Sequence, residues 1–236
     1  MKRKKTKFKN PYKLESELCD VLIKYARKNG WKIYPETSGW DLLLVNNIQL
    51  GIQAKLKDNI DVLAQAIDGR QTDPSPNVRA VLVPRASSEF RKIANALGIF
   101  IIEGLVYKRG VSGRRYWAKE IKTELTKYTK NHLRHPKKLC WIPDVEINVP
   151  AGVKSPKSIT EWKVNAVKLC FKLNKKGFLT SKDFQEAKLS ITIWKIKWLI
   201  DSGKKDGKLT KYVKNPDAIL PDELYPEISR AFLKLS

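Results

Sequence analysis

Histidine and cysteine are scarce in this chain. Its 236 residues include two histidines and three cysteines. Both histidines, His132 and His135, lie in one basic segment, so a Ser-His-Asp or Cys-His catalytic triad has no support. Together with Cys140 they offer too few ligands for a zinc site. Cys19, Cys140 and Cys170 are widely spaced and odd in number, which argues against a disulfide framework and favours a reducing cytoplasm.

The sequence also lacks a long hydrophobic run. The longest, from Gly98 to Val106, is broken by Glu103 and is far shorter than the about 20 residues that span a bilayer. No apolar stretch follows the basic N-terminus, which therefore does not resemble a secretory signal. No Gly-rich phosphate loop is present, which argues against ATP dependence. We expect no membrane partner and a cytoplasmic protein, in the host cytoplasm if a phage or mobile element encodes it.

Acidic residues are outnumbered about two to one. The chain has 47 Lys and Arg against 24 Asp and Glu, which gives a formal net charge of +23. An excess this large calls for a polyanionic partner, and nucleic acid is the first candidate. Hydrophobic residues make up 42% of the chain, which is enough for a folded core and excludes a wholly disordered protein.

Composition divides the chain into four segments. Residues 1–11 form a basic arm, and residues 12–107 form a first domain. Residues 108–155 are interpreted as a basic linker with little regular structure, because it is rich in Lys and Arg and punctuated by prolines. Residues 156–236 form a second domain.

The first domain alternates helical and extended patterns. Apolar spacing and turn residues predict, in chain order, a helix over Tyr12–Asn29, strands over Trp40–Val45 and Gln49–Leu56, a helix over Asp61–Arg70, a strand over Val78–Val83, a helix over Ser88–Leu97 and a strand over Gly98–Ile102. This order indicates an α/β fold with a mixed central sheet flanked by helices.

The second domain is mainly α-helical and has the outline of a winged helix-turn-helix. A helix, a short helix after Thr180, a second short helix from Ile191 and a basic hairpin follow one another. Trp194, Trp198 and Leu199 are predicted to form its core. The predicted DNA contacts are Thr192, Lys195 and Lys197 on the outward face of the helix from Ile191, with Lys204, Lys205, Lys208 and Lys211 on the wing. The alternative is that this domain binds protein.

The strand that begins at Gln49 carries polar side chains on one face. Alternation sends Leu50, Ile52, Ala54 and Leu56 to one face and Gln49, Gly51, Gln53 and Lys55 to the other. Burying such polar groups without partners would cost about 1–3 kcal/mol each. A bound metal and a phosphate ligand would compensate for that cost.

Oxygen donors near this strand suit a hard divalent cation. Asp41 would be the bridging carboxylate, with the Gln53 side-chain oxygen and the Ala54 carbonyl beside it. Lys55 would position the attacking water or offset charge on the phosphate. On the first helix, Glu17 lies at the edge of the apolar stripe and is a candidate further ligand.

Two acids near this constellation have alternative interpretations. Glu15 flanks the same apolar stripe as Glu17, and the choice between them is open from spacing alone. Glu36, on the preceding strand, is either a second acid that supports the site or an exposed residue.

Glu17, Asp41 and the triplet Gln53-Ala54-Lys55, on a helix followed by a hairpin, resemble the PD-(D/E)XK nuclease superfamily. Gln65-Ala66 on the next helix resembles a further polar position of that superfamily. The resemblance covers about residues 12–105 and implies the restriction-endonuclease-like fold. The sequence departs from the pattern at Gln53, which replaces the usual acid, as in transposon-end-cleaving and Holliday-junction-resolvase-like relatives. It also departs at Gly39-Trp40, where the motif has proline.

The resemblance implies a DNA endonuclease that depends on Mg²⁺, with Mn²⁺ as a substitute. It implies the catalytic set Glu17, Asp41, Gln53, Lys55 and Gln65, and the metal ligands Glu17, Asp41, Gln53 and Ala54. The substrate would be duplex or branched DNA, and cutting both strands would require a homodimer or a partner protein. The alternatives are an inactive nuclease fold that acts as a DNA-binding regulator or recruitment module, and an RNA-directed nuclease.

This interpretation makes a prediction about strand register. A two-residue turn at Asn46-Asn47 would pair Asp41 with Ile52 and send Gln53 to the opposite face. We therefore predict a three-residue loop or a bulge near Asn46–Ile48, which brings Asp41 opposite Gln53.

Overall fold

The computed structural model describes residues 10–67, 74–111, 115–153 and 158–234, except for the side chain of Arg115. Residues 1–9 of the expected basic arm lie outside this description. The described residues of Met1–Ile142 and Val149–Ser158 form one compact unit, and those of Pro143–Asn148 and Ile159–Ser236 form a second. In the described ranges, no helix has both the length and the apolar character needed to cross a bilayer.

A five-stranded mixed sheet is the centre of the first unit. Its strands lie side by side in chain order: β1 (Lys32–Thr37), β2 (Trp40–Val45), β3 (Gln49–Ala54), β4 (Val78–Val83) and β5 (Phe100–Glu103). Strands β1 to β3 are antiparallel, whereas β3, β4 and β5 are parallel. Helices supply the two parallel crossovers, as parallel strands require. The mixed sheet flanked by helices that the sequence predicts is therefore confirmed.

Three helices cover the two faces of this sheet: α1 (Glu15–Lys28), α2 (Ile60–Ile67) and α3 (Ser88–Ala96). Leu18, Leu22 and Ala26 recur every fourth residue on α1, so they share one helix face. They pack in one core cluster with alternate residues of β2 and β3, among them Leu42, Leu44, Leu50 and Ile52. The intervening strand residues belong to a second cluster with α2 and α3, among them Leu43, Val81, Leu63 and Phe90.

The segment 108–155 differs from the expected linker. Within the described residues it begins in a hairpin of β6 (Leu105–Arg109) and β7 (Arg115–Lys119). The irregular chain beyond it packs on the first unit: Ile121, Leu125 and Cys140 are buried, and Leu133 bridges to Val78 of β4. The excess of Lys and Arg hides this packing in the sequence because the buried apolar residues are sparse and follow no regular period.

The second unit contains three helices followed by a hairpin. They are α4 (Glu161–Lys176), α5 (Ser181–Glu186), α6 (Ile191–Lys197), β8 (Leu199–Asp206) and β9 (Leu209–Lys214), with two short helices after them, α7 (Pro221–Leu224) and α8 (Pro226–Leu233). A β-bridge joins Leu179, just before α5, to Tyr212 of β9. Trp194, Trp198 and Leu199 are buried in the core of this unit, as predicted from the sequence.

We predict that Gly51→Ala destabilises the protein by about 1–3 kcal/mol, because the added methyl group overpacks the sheet. A Cβ at Gly51 would lie 2.6 Å from the Trp40 ring and 2.8 Å from Pro76 Cγ. Chemical denaturation measures the change in unfolding free energy. The matched background is Trp40→Phe, in which the smaller ring leaves room and the same glycine substitution should cost less. An equal cost in both backgrounds would contradict the contact.

Candidate active site

The loop between β2 and β3 sets the register of the site. It spans the three residues Asn46–Ile48, and the strands pair Val45 with Gln49 and Leu42 with Ile52. Continuing this register brings Asp41 opposite Gln53. The Oδ2 atom of Asp41 accepts a hydrogen bond from the Ala54 backbone N–H at 2.7 Å. The predicted three-residue loop is confirmed, and the register that it sets is the one that brings Asp41 opposite Gln53.

Glu36 extends this pairing onto β1. The pairs Pro35 with Leu42 and Thr37 with Trp40 bracket Glu36 and place it opposite Asp41. Glu36, Asp41 and Gln53 therefore form a polar row across three adjacent strands. The Glu36 backbone has a φ of 49°, a left-handed conformation that costs roughly 1–2 kcal/mol in a residue with a Cβ. Strain of this kind is concentrated at functional sites.

The carboxyl group of Glu36 is buried, at 5% exposure, and bound to the backbone of a distant segment. Its Oε1 atom accepts a hydrogen bond from the Gly152 N–H at 2.8 Å. Burial raises the pKa of Glu36 to about 7, and the negative charge of Asp41 adds to the shift. Of the two interpretations that the sequence left open, the structure therefore supports the one in which Glu36 is a second acid beside Asp41.

Lys55 is paired with Glu15 rather than with Glu17. Lys55 Nζ lies 3.2 Å from Glu15 Oε2, and both side chains are about 30% exposed. Glu17 Oε2 instead lies 2.9 Å from Lys119 Nζ on β7, and this hydrogen bond lowers the pKa of Glu17. Glu15 and Glu17 are two positions apart, so they point to different sides of α1. The helix acid beside Lys55 is Glu15, and the expected placement of Glu17 is corrected.

The polar side chains of β3 have partners within the chain. Gln53 Nε2 donates to the Gly39 carbonyl at 2.9 Å, and Gln49 Nε2 donates to the Cys140 carbonyl at 2.9 Å. These bonds satisfy the two amide nitrogens without a metal, whereas the Oε1 atom of Gln49 is buried and has no hydrogen-bond partner among the described residues. Because the Gln53 nitrogen is held by Gly39, the amide oxygen is the atom of this side chain that could accept a ligand contact.

Negative charge is concentrated around the polar row. Its effect extends to the thiol of Cys19 on α1. Burial raises the pKa of Cys19, and the charges of Asp41, Glu36 and Glu15 raise that pKa further. Lys55 is paired with Glu15 of this group. Among the described residues, no group of three or more His, Cys, Asp and Glu side chains is arranged to hold a metal ion. A cation here would therefore need amide or backbone oxygens as well as carboxylates.

The remaining predicted site residues lie elsewhere. Gln65 is exposed on α2, whose buried residues Val62, Leu63 and Ala66 form the opposite face of that helix. In the second unit, Thr192, Lys195 and Lys197 are exposed on α6, Lys204, Lys205 and Lys208 are exposed on the β8–β9 hairpin, and Lys211 is half-buried. Lys195 lies 4.7 Å from the Tyr212 ring centre, and Lys211 lies 4.1 Å from that of Phe178.

No protein-family model, curated protein or solved structure matches this chain. Function is therefore inferred from the geometry of the polar row and its neighbours. Spacing left the choice between Glu15 and Glu17 open, and the resemblance favoured Glu17, because helix spacing does not say which way an end residue turns. The sequence also left Glu36 undecided, because a strand residue with positive φ leaves the alternating pattern. The run Pro35-Glu36-Thr37-Ser38-Gly39, in which an acid comes just before a tight turn, was the available signal.

We predict that Glu36→Gln flattens the pH dependence of stability. The folded protein keeps the Glu36 proton to about pH 7, whereas the unfolded chain releases it near the ordinary value of 4.5. The folded state binds more protons in this window, so the unfolding free energy falls as pH rises, by at most about 3 kcal/mol for this group. The neutral amide of the variant still accepts from Gly152 but does not titrate.

Unfolding free energies at both ends of this pH window test the prediction. The matched control is Glu17→Gln, which removes an exposed carboxyl group whose pKa is lowered rather than raised. The control should keep the fall in stability, and Glu36→Gln should lose most of it. Parallel curves for wild type and Glu36→Gln would contradict the buried, proton-holding carboxyl group.

Proposed function

We propose that this protein is a divalent-metal-dependent DNA endonuclease. The observation that carries the proposal is the polar row of Glu36, Asp41 and Gln53, which ends beside the Lys55–Glu15 ion pair. A buried acid in strained backbone, beside a second carboxylate and near a lysine, is costly for stability alone and is typical of a site that handles charge. The excess of 23 positive charges over the chain supports a polyanion as the substrate.

The donors around Asp41 fit Mg²⁺ or Mn²⁺. They are the Asp41 carboxylate, the Gln53 amide oxygen, the Ala54 carbonyl and the Glu15 carboxylate, which are all oxygens. A bound cation would also relieve the repulsion between Asp41 and Glu36. When bound, the ion would activate a water molecule and stabilise charge on the phosphate. Glu15 takes the place that the sequence gave to Glu17.

Lys55 has the position expected of the residue that assists at the phosphate. It directly follows β3, and its ammonium group is held by Glu15 at 3.2 Å instead of extending into solvent. A positive charge fixed in this way can orient the attacking water or offset developing negative charge on a non-bridging oxygen. A Glu15 that both pairs with Lys55 and donates an oxygen would couple the lysine to the cation.

A winged helix-turn-helix in the second unit would supply DNA affinity. The element order from α4 to β9, with Leu179 bridged to Tyr212 as a third short strand, supports this interpretation. In it α6 is the recognition helix, and Thr192, Lys195 and Lys197 lie on its exposed side. The exposed hairpin residues Lys204, Lys205 and Lys208 would contact phosphates. Ile193 and Ile196 are also exposed, at 43% and 77%, and suit contacts to thymine methyl groups.

We predict that Asp41→Asn, Lys55→Ala and Glu15→Gln each lower DNA cleavage about 100-fold or more, because each removes a charge at the reacting phosphate. The matched control is Glu17→Gln, which makes the same chemical change two residues away on α1 and should cleave like wild type. The measurement is nicking and linearisation of supercoiled plasmid in Mg²⁺ or Mn²⁺, with EDTA as the blank.

The pattern of losses separates the candidate functions. Loss in Glu17→Gln with normal cleavage in Glu15→Gln would contradict the site assigned here. Cleavage that is equal in all variants would come from a contaminant. A protein that binds DNA, cleaves none and gains no thermal stability from Mg²⁺ would be an inactive nuclease fold, which the amide at Gln53 favours. Cleavage of structured RNA in preference to DNA would identify an RNA-directed nuclease.

We predict that replacing Lys204, Lys205 and Lys208 together with alanine weakens DNA binding and reduces its salt dependence. The slope of log K against log salt should fall by about 0.9 for each lost phosphate contact. The charge-matched control replaces Lys24, Lys28 and Lys32, exposed residues at the end of α1 and start of β1 away from the polar row. Fluorescence anisotropy over a salt series measures both the affinity for DNA and its salt dependence. Equal slopes in the two triple variants would contradict a DNA-contacting hairpin.

A further inference from the structure

The β6–β7 hairpin presents an aromatic side chain to solvent on a basic surface. Tyr107 pairs with Trp117 across the hairpin, and their ring centres are 4.9 Å apart. Trp117 is partly buried against the core of the first unit, whereas Tyr107 is 52% exposed. The guanidinium group of Arg85 lies 5.2 Å from the Trp117 ring centre. The Tyr107 and Trp117 rings are tilted by 46° to each other. Arg85, Trp117 and Tyr107 thus form one cluster of contacts in which Tyr107 is the exposed ring, here called the aromatic stack.

This stack lies at the same edge of the sheet as Lys55. Strands β3, β4 and β5 are parallel, so their carboxyl ends meet at one edge. Lys55 follows β3, Arg85 follows β4 by two residues, and β6 begins two residues after β5 ends. The candidate site and the aromatic stack are therefore neighbours along the carboxyl edge.

A cleft lies between the residues that follow Lys55 and Arg85 of the aromatic stack. It has a volume of about 420 Å³ and is lined by Asn10, Leu56, Lys57, Asp58, Pro84, Arg85 and Ser87. Leu56 and Lys57 directly follow Lys55, and Arg85 is the first member of the aromatic stack. A strand that passes Lys55 can therefore follow Lys57 and Arg85 towards Tyr107.

The chemistry of the stack selects unpaired nucleotides. An exposed aromatic ring offers its face to another flat ring, and bases inside a duplex already stack on each other, so unpaired bases are the ones free to use it. Arg109 shares the Tyr107 side of the hairpin by strand alternation and is exposed. Together with Arg85 it provides positive charge for the backbone of the same strand.

We propose that the aromatic stack binds unpaired nucleotides of the DNA strand that passes the cleavage site. This inference depends on the proposed function. It adds a preference for DNA with a single-stranded segment, which the nuclease site alone does not imply.

Binding measurements without cleavage test the proposal. Fluorescence anisotropy in EDTA compares a blunt duplex with the same duplex carrying a single-stranded thymidine tail. Wild type should bind the tailed duplex more tightly. Tyr107→Ala should lose about tenfold in affinity for the tailed duplex, as expected for one lost base–aromatic contact, and should bind the blunt duplex as before. Tyr107→Phe keeps the ring and should bind both like wild type.

The hairpin supplies its own control. Tyr116 is 50% exposed and pairs with Lys108 on the opposite side of the hairpin, so Tyr116→Ala should leave tail binding intact. None of these variants changes the protein's charge, which separates stacking from electrostatic attraction. Photo-crosslinking from a 5-iodouracil in the tail should label Tyr107 and not Tyr116.

The outcomes separate this inference from the nuclease assignment. If wild type cleaves DNA but Tyr107→Ala binds the tail as tightly as wild type, or the crosslink maps to Tyr116, the aromatic stack is overturned and the nuclease remains. If wild type binds neither the blunt duplex nor the tailed duplex, both proposals are overturned. Tail-specific loss in Tyr107→Ala, with crosslinking at Tyr107, supports the stack whether or not the site cleaves.

Discussion

The register of the β2–β3 hairpin is the constraint on which the candidate site depends. Side chains in a strand alternate with a period of two, so a shift of one residue would send Asp41 and Gln53 to opposite faces. The three-residue loop Asn46–Ile48 fixes the pairing, and the bond from the Ala54 N–H to Asp41 holds it at the strand end. The tight turn that follows Glu36 then brings Glu36 opposite Asp41, so that it becomes the third residue of the row. The positions of these side chains at this edge of the sheet are thus set by loop length as much as by residue identity.

The charges in the polar row depend on how its residues and their neighbours affect one another, and not on any one residue alone. Glu36 and Asp41 lie side by side, and burial together with their mutual repulsion favours keeping a proton on Glu36. Lys55 compensates Glu15. In the proposed function, relief of this repulsion would favour the binding of a cation before any substrate arrives. Gln53 would contribute an uncharged donor, which would limit the negative charge around the cation.

Regular elements were predictable from the sequence because local signals define them. The apolar spacing of α1, the asparagines between β2 and β3 and the buried runs of β4 and β5 all gave elements within a few residues of their bounds. The register followed from one chemical requirement, that Asp41 and Gln53 share a face. Glu15 was not predictable in this way, because its partner Lys55 is 40 positions away. The packing of residues 120–142 was also not predictable, since its buried side chains contact elements that are distant in the sequence.

The short stretch Pro143–Asn148 belongs to the second unit although the chain on both sides of it belongs to the first. In that unit Ile147 is buried and Asp144 is paired with Lys168 of α4. The polypeptide therefore passes between the units three times, and no single scission separates them into two intact pieces. A fragment that starts at residue 156 would lack the Pro143–Asn148 segment of its own unit, and one that ends at residue 142 would lose Gly152, to which Glu36 is bound. The segments of the two units thus alternate along the sequence. During synthesis on the ribosome, residues 143–148 of the second unit are made before the last segment of the first unit.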